Sequence, residues 1–117
     1  MSIRIKRAYD APARNDGFRV LVDRMWPRGI TKDKLKLDEW GKEIAPSASL
    51  RKWFGHDPAK WETFRDRYSR ELDSRSEDVA RLRQKAKEGD LTLVFGARDE
   101  EHNNAVALKE YLEQGQR

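Results

Sequence analysis

The pattern of hydrophobic and polar residues predicts three strands. Near the start, "SIRIKRAY" alternates isoleucine with arginine or lysine, which is typical of a half-buried strand. The stretch "FRVLV" has Val20, Leu21 and Val22 in a row, as expected for a strand covered on both faces, and "LTLVF", over 91–95, predicts a second buried strand. The turn-rich stretch "PARNDGF" separates the first two strands.

Helical periodicity follows in the middle of the chain. Leu37, Trp40 and Ile44 lie at i, i+3 and i+7, which predicts a helical segment ended by Pro46. The next segment, "SASLRKWFG", predicts a short helix with a serine at its start and a glycine at its end.

Three longer helices are expected in the second half. Asp57 and Pro58 form a start signal, a capping acid followed by proline at the first helical position. The helix after them has one aromatic and aliphatic face, made of Trp61, Phe64, Tyr68 and Leu72. Ser74 and Glu77 have capping-box spacing and predict a helix that ends at Gly89. Ala105, Leu108, Tyr111 and Leu112 mark the last helix.

These elements predict a single α/β domain over 1–117. Alternating strands and helices favour a three-layer arrangement around a small, mostly parallel sheet. The long stretch between Val22 and Leu91, interpreted as all helical, fits a parallel crossover. The first strand has two alternative places. It either pairs antiparallel at an edge or lies parallel with the strand 91–95 between it and the second strand.

The composition indicates a folded domain with a densely charged surface. Charged residues make up 39% of the chain, but the net charge is only +4, with 25 basic against 21 acidic residues. The mild basic excess hints at anionic partners, although the two signs are intermixed. There are no cysteines, which excludes disulfides and thiolate chemistry. The stretch "MSIRIKRAYD" contains no signal-like apolar run. We therefore expect a cytoplasmic protein without a membrane partner; the oligomeric state stays open.

Polar residues concentrate where two of the predicted strands end. Ligands of open parallel sheets bind outside the carboxyl ends of the strands. If the second and third strands are parallel neighbours, their two exits share one rim, and the candidate residues there are Asp23, Arg24, Trp26, Arg28, Arg98, Asp99, His102, Asn103 and Asn104.

The arginines carry the most specific expectation. A guanidinium presents a planar fork of donors that fits phosphate or carboxylate, so Arg24, Arg28 and Arg98 are candidate anion clamps. The alternative is that Arg24 and Arg98 form structural ion pairs with the neighbouring Asp23 and Asp99.

Acid–base chemistry is the second expectation for this rim. Asp23, Asp99 and His102 are the candidate catalytic residues, since histidine titrates near neutral pH and an acid can orient it. The alternative for His102 is a surface or helix-capping role. Asn103 and Asn104 suit either a helix start or a ligand contact.

A second cluster lies in "LRKWFGHDP". Its tryptophan beside basic residues suits stacking of a nucleobase next to a phosphate, which makes Trp53 and His56 candidate ligand contacts, with Arg51 and Lys52 beside them. The alternative is that Trp53 and Phe54 belong to the core. No metal-ligand spacing and no common nucleotide or hydrolase motif is present in the sequence.

The stretches "GFRVLVDRMWPRGITK", "LRKWFGHDPAKWETFRDRY" and "LTLVFGARDEEHNNAVALKEYL" resemble the small bacterial YeaO-like proteins, a domain of unknown function (DUF488). The resemblance runs from about Ile3 to Leu112. It implies that the family's motif positions form a shared site, but it implies no substrate and no cofactor. These positions are Asp23, Arg24, Trp26, Pro27, Arg28, Trp53, His56, Asp57, Arg98, Asp99, His102, Asn103 and Asn104.

The function expected from the sequence is binding of an anionic small ligand, a nucleotide or another phosphorylated metabolite, in an arginine-lined cleft. Hydrolytic or acid–base chemistry would be an addition to that binding. Two alternatives remain: a nucleic-acid-binding module, favoured by the basic excess but lacking a known motif, and a protein-interaction or oligomeric module. In the latter, Trp26 and Trp53 would anchor an interface.

Overall fold

A computed structural model describes residues 2–114. They form a four-stranded sheet with β1 at Ile3–Arg7, β2 at Phe18–Leu21, β3 at Glu39–Trp40 and β4 at Leu91–Phe95. The helices are α1 at Lys32–Leu35, α2 at Ala48–Phe54, α3 at Trp61–Asp73, α4 at Ser76–Glu88 and α5 at Asn104–Gln114. The expected α/β class is confirmed.

The strand order is β1-β4-β2-β3, and all three pairings are parallel. The second alternative for the first strand is therefore correct, because β4 lies between β1 and β2. Register pairs Ile3 with Leu91 on one side of β4 and Phe18 with Leu91 on the other. The carboxyl ends of β2 and β4 consequently meet at the same edge of the sheet.

The larger face of the sheet is covered by α2 to α5. Alternate residues of β2 and β4, such as Val20, Leu93 and Phe95, join the buried faces of these helices in the main core. Each of those three side chains is at most 1% exposed, and burying a side chain of this size contributes about 1.5–3 kcal/mol. This packing fixes the two strand exits relative to the helices.

The opposite face carries a smaller apolar cluster. Leu21 and Val94 point to this face and pack with Leu35 of α1, and Trp26 and Trp40 lie against them. The domain is therefore three-layered, with a thin second layer made of α1 and its flanking segments.

The predicted helix through Leu37, Trp40 and Ile44 is wrong. Lys36 adopts a left-handed conformation and ends α1 after one turn. Trp40 then lies in β3 beside β2, and a short 3₁₀ turn at Lys42–Ile44 follows. The crossover between β2 and β4 accordingly contains a strand as well as helices. The three apolar residues match helical spacing, but they divide between the two faces of the sheet.

Most of the predicted helix boundaries are confirmed by side-chain caps. Ser47 accepts a hydrogen bond from the Leu50 amide at the start of α2, and Gly55 ends that helix. Asp57 caps the 3₁₀ turn that leads into α3. The capping box at Ser74 is wrong, because the Ser74 hydroxyl donates to the Glu71 carbonyl instead.

One group of charges is buried under the second face, away from the strand exits. Arg19 donates to the carboxylate of Asp16 at 2.6 Å and to the carbonyls of Leu35 and Lys36. Lys6 donates to the same carboxylate at 3.0 Å. We refer to Lys6, Asp16 and Arg19 as the buried ion cluster.

No helix within residues 2–114 has the length and apolarity to cross a bilayer.

Candidate functional site

The exits of β2 and β4 meet through Asp23. The Gly96 amide, which follows β4, donates to Asp23 Oδ2 at 2.8 Å. Asn104, the first residue of α5, donates from Nδ2 to Asp23 Oδ1 at 3.0 Å and to the Val22 carbonyl at 2.7 Å. The expected convergence of the two strand exits is thus present, with Asp23 at its centre.

Gly96 allows this close approach. A Cβ atom at position 96 would lie 3.2 Å from Asp23 Oδ2, tighter than side-chain contacts normally are. Burial raises the pKa of the Asp23 carboxyl, against the lowering effect of the Asn104 and Gly96 hydrogen bonds and of the charges on Arg51 and His56. Asp23 is therefore a partly desolvated acid that faces positive charge.

Helix α2 brings the second cluster of the sequence to this acid. Arg51, Lys52 and His56, from the helix and the turn after it, line the same pocket as Asp23 and Arg24. Within residues 2–114, no carboxylate lies within ion-pair distance of Arg24, Arg51 or Lys52. The Nε atoms of Arg24 and Arg51 are buried and have no hydrogen-bond partner among these residues.

The pocket has a volume of about 580 Å³, which is within the ordinary range for small-molecule sites. Among residues 2–114, Asp23 is the one acid that lines it. Its floor and walls combine polar groups with buried aromatic rings and prolines: Asp23, Asn103, Asn104, Gly96, Phe54, Phe64, Pro27 and Pro46. A concave site with mixed lining and excess positive charge suits an anion that also has apolar surface.

Apolar side chains form one margin of the pocket. Tyr9 is 48% exposed and Met25 is 70% exposed, and these are the two exposed large hydrophobic residues of the described chain. Both line the pocket beside Trp26. We call Tyr9, Met25 and Trp26 the apolar rim.

The turn after α2 has an unusual backbone. Gly55 and His56 both have positive φ angles, 53° and 57°. This conformation is ordinary for glycine but costs a histidine about 1 kcal/mol or more. The turn directs residue 56 to the pocket.

Several predicted site residues lie outside the pocket lining. Arg28 and Arg98 are exposed on the loops after β2 and β4. Trp53 is half-buried against the core, and its ring lies under the cationic groups of Lys60 and Arg67. The structure thus brings together Asp23, Arg24, Trp26, His56, Asn103 and Asn104 and leaves Arg28, Trp53, Arg98, Asp99 and His102 outside.

Asp99 and His102 form a pair of their own. His102 Nδ1 lies 3.0 Å from Asp99 Oδ2, and the imidazole packs edge-on against Trp61. The pKa of Asp99 is lowered by hydrogen bonds from the amides of Glu101 and His102 and from the His102 ring. Asp99 therefore organises the turn before α5.

Two structural alternatives now have outcomes. Arg24 and Arg98 do not pair with Asp23 and Asp99, since none of the ion pairs between described residues involves either arginine. Asn103 is the cap of α5, because its Oδ1 accepts from the Val106 amide.

Among residues 2–114, no three histidine or acidic side chains are grouped so that they could hold a metal ion.

Local sequence signals missed part of the lining. Tyr9 follows β1 and Met25 sits among the charges after β2, and neither matches a motif. Arg51 and Lys52 were visible as a basic pair on α2, but their place beside Asp23 depends on how that helix folds over the sheet. The available signal was a methionine between an arginine and a tryptophan in a loop of charged residues.

Comparisons with known proteins agree on the family. A family model described as "Inactive DUF488-N3 subclade" matches residues 2–117. The chain is 46% identical over 112 residues to the "Uncharacterized protein YeaO" of Escherichia coli, covering 96% of this chain and 97% of that one. It is 38% identical over 110 residues to the "Uncharacterized protein Mb3100c" of Mycobacterium bovis, covering 94% and 92%.

No solved structure gives a significant match. The family model and these near full-length relatives show that the chain belongs to the YeaO-like DUF488 family.

Proposed function

We propose that this protein binds an anionic small molecule, a nucleotide or another phosphorylated metabolite, in the pocket at the carboxyl ends of β2 and β4. The observation that carries the proposal is the set of three cationic side chains, Arg24, Arg51 and Lys52, that line a pocket with one acid among the described residues. A phosphate group would supply the acceptors that these donors lack among residues 2–114.

Arg24, Arg51 and Lys52 lack acidic partners among residues 2–114, in contrast to the ion-paired arginine and lysine side chains elsewhere in the fold. Nine other arginine or lysine side chains among the described residues pair with acids, at distances between 2.6 and 3.9 Å. A guanidinium with a buried, unsatisfied Nε costs stability, about 1–3 kcal/mol for a buried donor without an acceptor. Arg65 of α3, outside the pocket, also has a buried Nε without a partner, but its guanidinium pairs with Glu110, whereas Arg24 and Arg51 have no acidic partner among residues 2–114.

Binding without turnover is the form that we propose. Both oxygens of Asp23 already accept hydrogen bonds, and the Asp99–His102 pair lies outside the pocket. His56 lines the pocket, but within residues 2–114 it makes no hydrogen bond to Asp23, so no hydrogen-bonded acid–base pair is held there. The description of the matching subclade as inactive supports the same conclusion.

A cytoplasmic location is part of the proposal. It rests on the cysteine-free composition, which fits a reducing compartment.

The test is a thermal-shift screen of the wild type, the double variant Arg24→Gln/Arg51→Gln, and the control Arg70→Gln. The panel holds phosphate, sulfate, nucleosides, nucleotides and sugar phosphates. Arg70 is exposed on α3 and pairs with Asp66, so it matches the loss of an arginine without touching the pocket. A ligand at a hundred times its Kd stabilises the native state by about 2.7 kcal/mol.

We expect phosphorylated ligands to raise the midpoint of the wild type and of Arg70→Gln but not that of the double variant. Equal shifts in all three proteins would contradict the proposal. If no small molecule shifts the midpoint but short nucleic-acid duplexes bind with a steep salt dependence, the nucleic-acid alternative replaces it.

A further inference from the structure

We infer that the pocket selects a nucleotide, with the phosphate on the cationic side chains and the base on the apolar rim. This inference rests on the proposed function and narrows it, since a sugar phosphate or inorganic phosphate would satisfy the cations alone. It depends on the rim of Tyr9, Met25 and Trp26 being a binding surface and not an accidental exposure.

The concentration of exposed apolar surface is the first argument. Scattered exposed hydrophobic residues are normal in proteins, but grouped ones mark binding sites. Here both large hydrophobic residues that the described chain exposes line a single pocket. A ligand that carried only charge and hydroxyl groups would leave this surface in water.

The rim is also held in place. The Arg7 guanidinium lies over the Tyr9 ring at 5.1 Å from its centroid, and Arg7 Nε donates to the Ala97 carbonyl at 3.0 Å. Trp26 donates from its indole nitrogen to the Ile30 carbonyl at 2.6 Å and packs edge-on against Trp40. Rings that are already ordered lose little conformational entropy when a flat ligand packs on them.

Methionine complements the two rings. Its flexible thioether adapts to flat aromatic surfaces of different outline. Met25 lies directly after Arg24 in the chain, so one short segment contributes both a phosphate contact and a base contact.

The chemistry of the pocket therefore has two unlike parts. Arg24, Arg51 and Lys52 fit a phosphate, and Tyr9 with Met25 fits the face of a heteroaromatic ring. The shared ligand class that has both groups, joined by a short polar linker, is a nucleoside phosphate. The volume of about 580 Å³ accommodates a drug-sized molecule of this kind.

The experiment is isothermal titration of the wild type, Tyr9→Ala, Tyr9→Phe and Arg51→Gln with three probes: adenosine monophosphate, guanosine monophosphate and ribose phosphate. Tyr9 is half exposed, so its substitution leaves the core intact. Tyr111→Phe serves as the matched control, because Tyr111 lies on α5 and bonds to Asp73 outside the pocket.

We expect at least one nucleotide to bind the wild type more tightly than ribose phosphate by about fivefold to a hundredfold, the usual effect of one stacked base. Tyr9→Ala should remove that advantage without changing ribose phosphate binding, and Tyr9→Phe should keep it. Arg51→Gln should weaken every probe.

Two results overturn the inference, and they are distinguishable. If nucleotides and ribose phosphate bind equally well and Tyr9→Ala changes neither, the base is not recognised, although the anion-binding function stands. If no probe binds the folded wild type, the nucleotide inference and the proposed function both fail.

Discussion

Two groups of charges flank β2, and they differ in how their hydrogen bonds are satisfied. In the buried ion cluster, Arg19 is 4% exposed and donates hydrogen bonds to Asp16 and to two backbone carbonyls. In the pocket, Arg24 and Arg51 each have a buried Nε without a partner in residues 2–114. Charges that hold a fold together are saturated by the protein itself. Charges left unsaturated beside a cavity are available to a ligand.

The largest expected effect separates the two groups by stability. Arg19→Met should lower the free energy of unfolding by about 3–5 kcal/mol, because it leaves the buried carboxylate of Asp16 poorly compensated. Arg24→Met should change it by less than about 0.5 kcal/mol or raise it, since no hydrogen bond is lost. Urea denaturation of both variants measures the difference. Equal losses would mean that Arg24 is structural and would remove the contrast.

Ligand affinity should show the opposite ranking. Arg51→Gln is expected to weaken binding of a phosphorylated ligand by about tenfold to a hundredfold, the usual worth of a hydrogen bond to a charged group. Arg70→Gln on α3 should leave the affinity unchanged. Titration calorimetry gives both Kd values. A loss of similar size in the two variants would point to a general electrostatic effect in place of a pocket.

The pH dependence of anion binding gives a smaller effect. Asp23 is the one acid in the described part of the chain that lines the pocket, and burial raises its pKa. Protonation of Asp23 removes a repulsion, so sulfate, whose charge stays constant, should bind severalfold more tightly as the pH falls through the acidic range. His56→Gln keeps this trend if Asp23 causes it. A sulfate affinity that is independent of pH would contradict the placement of the anion near Asp23.

The smallest expected effect is on the pH dependence of stability, to which the carboxylates of Asp16 and Asp23 contribute with opposite signs. Burial tends to raise the pKa of Asp16, but the Ala13 amide, Lys6 and Arg19 outweigh it and lower that pKa. Ionised Asp16 therefore stabilises the native protein at a pH above the pKa that this group has in the unfolded chain. That stabilisation is lost as the pH falls through the lower pKa that the group has in the folded protein.

The contribution of Asp23 to stability changes with pH in the opposite direction. Its pKa is raised in the folded state, so the native protein holds the proton more tightly, and stability declines as the pH rises from the unfolded to the folded pKa. Urea midpoints measured across the acidic range should show this for two variants. Asp16→Asn should lose the decline in stability towards low pH that Asp16 causes, and Asp23→Asn should lose the decline towards high pH that Asp23 causes. Variants with slopes identical to the wild type would refute both assignments.

Local patterns in the sequence predict the parts of the fold that depend on neighbouring residues. β4 follows from a continuous apolar run, and α2 follows from Ser47 and Gly55 at its two ends. The segment 37–44 could not be assigned in this way, because its apolar residues match helical spacing while they pack on different faces of the sheet.

The residues of the candidate site also fall into two groups, those that the sequence predicts and those that depend on tertiary contacts. Asp23, Arg24 and Asn104 follow or precede strand exits, so the parallel sheet alone predicts that they meet. Arg51 reaches them only because α2 folds over the carboxyl edge, which is a tertiary contact without a local signal. Arg28 and Arg98 have the expected chemistry on the expected loops, yet the loop backbones leave them exposed outside the pocket.

An amide chemical-shift titration of the wild type with a nucleoside monophosphate tests the central claim most directly. The account predicts saturable shifts confined to the residues around the pocket, 9, 23–27, 48–56, 64, 96–97 and 103–104, with the buried ion cluster unaffected. Shifts that are absent, or that spread over the basic surface without saturating, would contradict the claim that the unsaturated cations form a specific anion site.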